Sequence, residues 1–352
     1  MAINLHTKYS SKIATVFKSE SLIDGKLNDE YSFSGVRTVK ISTLQTVPLV
    51  DYVRNGSNRY GNPTEMEDTV QEMTMTQDKA FSLTIDKGNN KDQQGIKAAG
   101  RALGLEIKER VVPMKDKYTF ERLAQLAGKI VGNGTALSKS NVCDRISDAV
   151  QHLDDCEVPQ DGRTLYMPNG VYKLLKHSDE FLAVDKLAEK ALAKGVVGEY
   201  DNMKVVKVPA SRWPENVNFM IVYKNSATAP TKISETKLHQ DPPGLSGNLI
   251  EGRFYYDVFV IGAKADGIYV EVNTASSAGT VLAAPTIAAA TGAITPPSGA
   301  TVKFTTDGTD PRYSETAKIG TAAGTGAGTV VKAYAYKDGA YPSEVATVTL
   351  TA

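Results

Sequence analysis

Residues that carry chemistry are scarce in this chain. Two of its 352 residues are cysteine and four are histidine. Cys143 and Cys156 fall in a stretch of helical pattern, which fits reduced thiols and not a disulfide framework. His6, His152, His177 and His239 are scattered, and His152, Cys156 and Cys143 together stop short of the four ligands that a structural metal takes. Gly132-Asn133-Gly134 lacks the lysine and hydroxyl of a phosphate loop. There is no nucleophile elbow, no pair of helical histidines and no dinucleotide fingerprint. Lysine plus arginine equals aspartate plus glutamate at 40 each, so nothing draws the whole chain toward nucleic acid, membranes or acidic substrates. No apolar run approaches the roughly 20 residues that span a bilayer. The opening MAINLHTKYSSKIATVF lacks the apolar centre of a secretory signal. These absences predict a protein made in the cytoplasm that works by contact, is not an enzyme, and has no catalytic, cofactor-binding or metal-binding residue.

What is present is organised around residues 78–127. Phe81, Leu83 and Ile85 alternate with polar residues as in a half-buried strand. After a turn at Lys87-Gly88-Asn89-Asn90, Ile96, Ala99, Leu103, Ile107 and Val111 recur at helical spacing. The pattern predicts a helix of about 20 residues that stops at Pro113. KYTFERLAQLAGKI predicts a second helix and SNVCDRISDAVQHL a third. Upstream, YSFSGVRTVKISTL alternates as a strand, and the excursion DYVRNGSNRYGNPTEMEDTVQEMTMTQ between it and Phe81 predicts an extended hairpin with a large tip. Arg54, Arg59, Glu65, Glu67 and Glu72 crowd that excursion. Solvated loop charge and ion pairing between subunits both explain them. The first thirty residues carry Lys8, Lys12 and Lys18 before any acid and show no apolar period, as expected of an extended arm. Strands at 163–167, 203–208, 218–223 and 253–261, with a helix between 170 and 195, predict a mixed α+β fold to about residue 272.

Residues 273–280, NTASSAGT, have the composition of a flexible linker. Beyond them the chain is rich in Ala, Thr and Gly, with strand patterns at 301–305, 330–336 and 344–350 and turns at Pro296-Pro297, Asp307-Gly308 and Asp338-Gly339. A small β-sandwich that folds independently is expected, and its deletion should leave the rest intact.

Taken in order, the hairpin with GVRTVKISTL leading in and DKAFSLTIDKGNN leading out, the helix ending VVPMKDKYTFERLA, then GRTLYMPNGVYKLLKHSDEF, MKVVKVPASRWP and GRFYYDVFVIGAKADGIYV resemble the major capsid proteins of tailed bacteriophages of the Hong Kong ninety-seven phage type. The resemblance spans roughly residues 13–272. It implies an N-terminal arm (1–30), an extended hairpin loop region (31–90), a spine helix with the peripheral domain (91–158), an axial domain (159–249) and return strands of the peripheral domain (250–272). VKFTTDGTDP, followed by VVKAYAYKDGAYPSEVATVTL, resembles the immunoglobulin-like module at the C-terminus of chitobiases, here 281–352 beyond the 273–280 linker.

The function these resemblances imply is a shell subunit of a virion. Many copies would assemble as hexamers and pentamers around double-stranded DNA, held only by weak non-specific contact, with the C-terminal module as an outward decoration. Lys8 and Lys12 of the arm and Arg54, Arg59, Tyr60, Glu65 and Glu67 of the excursion are the candidate inter-subunit contacts. Portal, scaffold and decoration proteins are further candidate partners; a membrane is not. Two rivals stay open: an encapsulin-like nanocompartment shell, and a glycan-binding or glycan-cleaving protein carrying the C-terminal module. Carbohydrate binding through Tyr313, Tyr334, Tyr336 or Tyr341 requires an exposed aromatic patch.

Overall fold

A computed structural model describes the chain except at residues 1–19, 32, 34–36, 45, 48, 56, 64, 67, 93–97, 179–195, 276–279, 325 and 352. The strands of its centre are β4 (Lys129–Asn133), β5 (Arg163–Pro168), β6 (Val196–Tyr200), β7 (Met203–Val208), β8 (Val217–Tyr223) and β13 (Ile268–Asn273). They form one mixed sheet in the order β4-β13-β8-β5-β7-β6. Runs such as VNFMIVY are apolar at nearly every position because both faces of this sheet are covered. One face, with Tyr166, Val206, Met220, Val222 and Val270, packs on Phe120, Leu123 and Ala124 of a long helix. The other, with Leu165, Met167, Val205, Phe219 and Ile221, packs on α4 (Val142–Asp155) and α5 (Asn169–Lys176). Each such buried side chain contributes about 1.5–3 kcal/mol. The sheet draws strands from three of the expected segments, 91–158, 159–249 and 250–272, so no break in hydrogen bonding marks their borders.

The long helix does not stop at Pro113. α2 (Ala99–Glu106) passes through a π-helical turn at Ile107–Val111 directly into α3 (Val112–Gln125). Proline lacks an N–H and its ring presses on the carbonyl one turn back. The wider turn before Pro113, in which Val112 N–H donates to Ile107 O, relieves that conflict. The expected turn at 87–90 is the short helix α1 (Lys87–Asp92).

The hairpin also differs from expectation. β1 (Thr38–Leu44) pairs antiparallel with β2 (Asp68–Thr74), from Thr38 opposite Thr74 to Leu44 opposite Asp68. β3 (Gln77–Asp86), which holds Phe81, pairs instead with β11 (Gly247–Tyr256), and β11 with β10 (Thr231–Gln240), in a separate three-stranded sheet. The return strand of the hairpin therefore lies inside the excursion, and the tip is residues 45–67.

Part of the expected arm is docked on its own subunit. Leu22, Ile23 and Leu27 are buried in the main core. Ser21 Oγ and Leu22 N–H donate to Asp116 of α3 at 2.7 and 3.1 Å, and Arg212 Nη1 closes on the same carboxylate at 2.8 Å. Lys8 and Lys12 lie outside the described residues.

The C-terminal strands are β14 (Thr286–Ile287), β15 (Ile294–Thr295), β16 (Thr301–Thr305), β17 (Lys318–Ile319), β18 (Val330–Tyr336) and β19 (Ala346–Thr349). A four-stranded sheet, β17-β16-β18-β19, and the β14-β15 pair share a core of Ile287, Ile294, Val302, Phe304, Val331 and Leu350. The module is not hung at arm's length. Tyr313 belongs to the main core, Lys129 pairs with Glu344, and Tyr341 Oη donates to Glu215 O at 2.6 Å.

Candidate functional site

The hairpin is bolted down at its base and bare at its tip. Met73 and Met75 are fully buried against Phe33 and Phe259, with Val39 and Ile41 of β1 packed beside them. Gln71 spans a chain reversal after β12 (Phe259–Val260): its Nε2 donates to Val260 O at 2.7 Å and its Oε1 accepts from Gly262 N–H at 2.8 Å. Asp257 accepts from Thr76 N–H, Thr76 Oγ1, Tyr118 Oη and Val258 N–H at 2.7–2.8 Å. Burial, then the bond to Asp257, pushes the Tyr118 phenol up to about 12. Lys40 on β1 meets Glu315 of the C-terminal module at 2.7 Å, and that hydrogen bond holds its ammonium above the usual lysine range.

Exposed apolar side chains crowd the end of β1 and the tip beyond it. Leu44, Val47, Leu49, Val50, Tyr52, Val53, Tyr60 and Met66 are all exposed, Leu49 completely and Tyr60 to 84%. Elsewhere among the described residues only Met114, Leu238 and Ile319 are large, apolar and exposed. The tip nevertheless has internal structure. Val53 N–H donates to Arg59 O at 3.1 Å, Asn58 takes a left-handed φ of 60° in the turn, and Tyr52 meets the edge of Tyr60 at 5.0 Å. A shaped loop of bare hydrophobic groups on a braced stalk is suited to bind an apolar surface of another molecule.

Of the residues proposed from sequence, Arg54, Arg59, Tyr60 and Glu65 all sit exposed on this tip. Glu67 lies outside the described residues. Whether they contact another subunit is a proposal taken up below. Polar residues dominate the excursion from Asp51, which hides Tyr52 and Val53, and Leu49 and Val50 fall just before it. The signal was the run PLVDYV, apolar at positions that neither a helix nor a strand period accounts for.

Elsewhere the groups that would serve other chemistry are engaged in packing. His152 lies tilted at 55° to Tyr269, with ring centroids 5.8 Å apart, and Cys143 Sγ donates to Ser178 Oγ. No group of three or more metal-binding side chains occurs among the described residues. In the C-terminal module Tyr313 is buried, and Tyr334, Tyr336 and Tyr341 are half-buried, with the rings of Tyr334 and Tyr336 5.8 Å apart.

No family model and no curated protein matches the sequence. Solved structures do. A chain of a Mycobacterium phage Che8 structure aligns at TM-score 0.62 and 17% identity over 78% of this chain and 100% of that one. The capsid structure of cyanophage P-SCSP1u aligns at 0.60 and 9% identity, over 78% of this chain and 94% of its own. The mature capsid of bacteriophage PhiM1 gives 0.60 and 13%, over 77% and 92%. At such identities the likeness is one of architecture, and what it establishes is that this chain has the α+β fold of phage capsid subunits.

Proposed function

We propose that this chain is the major capsid protein of a tailed bacteriophage, many copies of which assemble into the icosahedral shell around double-stranded DNA. The observation that carries the reading is the hairpin tip, where Leu49, Tyr60 and their apolar neighbours stand exposed at the end of a stalk anchored in the core, with no core of the described residues covering them. The fold shared with phage capsid structures agrees with it. Shell affinity comes from many modest contacts: each tip adds one, and closure of the lattice multiplies them. Arg54, Arg59, Tyr60 and Glu65, with Lys8, Lys12 and Glu67, are the proposed contact residues. With no net charge on the chain, DNA is held by local lysine faces alone, and its contact is weak and salt-sensitive. Hexamers and pentamers, and the portal, scaffold and decoration proteins of such particles, belong to this reading.

The test is expression of the chain alone, with sedimentation and electron microscopy of the product. Closed particles are expected. A monomer at high concentration, with Leu49, Tyr52 and Tyr60 still solvent-exposed, overturns the proposal.

A further inference from the structure

The C-terminal module supplies donors to the C-cap of α3 at Leu126 and to the turn that follows it. A helix leaves its last carbonyls without intrahelical donors, and at a buried corner these must be met from elsewhere. Three consecutive carbonyls just after α3 take their donors from one loop of the module. Tyr313 Oη donates to Leu126 O at 2.6 Å, and Arg312 Nη1 to Ala127 O at 2.8 Å and Gly128 O at 2.9 Å. Asp310 aims the guanidinium, accepting from Nε at 3.1 Å and Nη2 at 2.7 Å. The arginine also brings positive charge to the negative end of the helix dipole.

The attachment is close-packed as well as hydrogen-bonded. Tyr313 is buried in the main core, and Gly262 approaches it so nearly that a Cβ there would stand 2.8 Å from the Tyr313 Cβ. The same loop reaches the hairpin. Glu315 pairs with Lys40, and a cleft of about 240 Å³ between Thr309, Ser314, Thr43 and Thr69 is floored by Gln71 and Gly262. An exposed ion pair contributes little by itself, so the caps and the tyrosine carry the attachment and the pair adds direction.

We infer that the C-terminal module is an internal brace of the subunit: its 310–315 loop ties down the C-cap of α3 and the turn after it, completes the main core and steadies the base of the hairpin, so that presentation of the tip depends on it. Such a brace runs against the expectation that the module can be deleted without effect, while the module's separate core fits the expected small β-sandwich. Arg312, Tyr313 and Glu315 are positioning residues; none touches the tip. Only the assembly step of the inference rests on the capsid reading.

The test is hydrogen exchange on the full-length chain kept below its assembly concentration, followed by assembly of the same samples. In Arg312→Ala and Gly262→Ala, amides of 122–133 are expected to exchange at least about tenfold faster than wild type, as local opening there becomes easier. Glu315→Lys, which sets a second ammonium against Lys40, should speed exchange in 38–44, and Glu315→Gln, which keeps the size of the side chain without the like charge, should speed it less. Gly262→Ala removes no donor, and it keeps the test decisive where Arg312→Ala yields no soluble chain. Both undocking variants should form fewer particles than wild type at equal concentration. Wild-type exchange at 122–133 in both variants overturns the brace. Faster exchange with undiminished particle formation overturns its role in presenting the tip. A wild-type chain that never assembles refutes the capsid reading instead, and the exchange data still judge the brace.

Discussion

Replacing Leu49 and Tyr60 together by alanine separates assembly from folding. Leu49 is fully exposed and Tyr60 is 84% exposed, and the packing at risk within the subunit is the edge contact of Tyr60 with Tyr52. Surface truncations of this kind change folding stability by about 0.5 kcal/mol or less. Covering such side chains with a neighbouring copy gains about 1.5–3 kcal/mol each, part of which alanine retains, so the pair forfeits about 2–4 kcal/mol per tip contact. At ~1.4 kcal/mol per factor of ten, the concentration needed for assembly rises about 30- to 1,000-fold. Sedimentation velocity across a concentration series, with electron microscopy of each sample, reads that threshold; a melting curve of the unassembled chain reads the fold. An unchanged threshold refutes the role of the tip. A melting temperature lowered by more than a few degrees refutes the premise that the tip is free of its own subunit.

Three further outcomes follow from the buried interior. Asp116→Ala strands the buried Arg212 guanidinium without its carboxylate and should cost about 3–5 kcal/mol in denaturant unfolding, with faster proteolysis at residues 20–23. Phe120→Ala opens a hole between Tyr166 and Trp213, each 5.3 Å from the Phe120 ring, and should cost about 3–5 kcal/mol; Trp213 is the chain's single tryptophan, so its fluorescence reports the change directly. Tyr118, Tyr269 and Tyr334 are pushed up to about 12 by burial first of all. A phenol whose folded value lies above its unfolded value of about 10 stabilises the fold fully below that pH and loses the contribution as pH rises toward 12. Tyrosinate absorbance and loss of structure should therefore rise together in that window, and ionisation of these tyrosines near pH 10 in an intact fold would contradict their burial.

Much of the fold was legible in the sequence because local patterns and tertiary environment agree. MKVVKV, NFMIVY and VVKAYAY form strands, and the face of α4 marked by Val142, Ile146, Ala149, Val150 and Leu153 is buried as its spacing requires. Legibility failed where tertiary context decides. Pro113 ends most helices, and only the π-helical turn before it lets this one continue. β10 was missed because TKISETKLHQ is exposed along nearly its whole length and is held as a strand by pairing with β11, which no local period reveals. DTVQEMT has the composition of a loop because its buried Met73 follows polar residues, yet it is the strand that returns the hairpin. The charges of the candidate site were visible, but its apolar groups were hidden by a polar average. The docking of the module could not be read at all, since Arg312 and Tyr313 meet carbonyls whose positions leave no trace in side-chain pattern.

The finishing contacts of the long helix come from about 185 residues downstream. At translation speeds of roughly 5–20 residues per second, the nascent corner at Leu126 waits some 10–40 s for its cap. A polypeptide cut short by a broken message or a stalled ribosome never receives it. Under the brace inference, a chain that ends before Arg312 lacks the donors to Leu126, Ala127 and Gly128, and its corner after α3 should open more readily than that of the full-length chain.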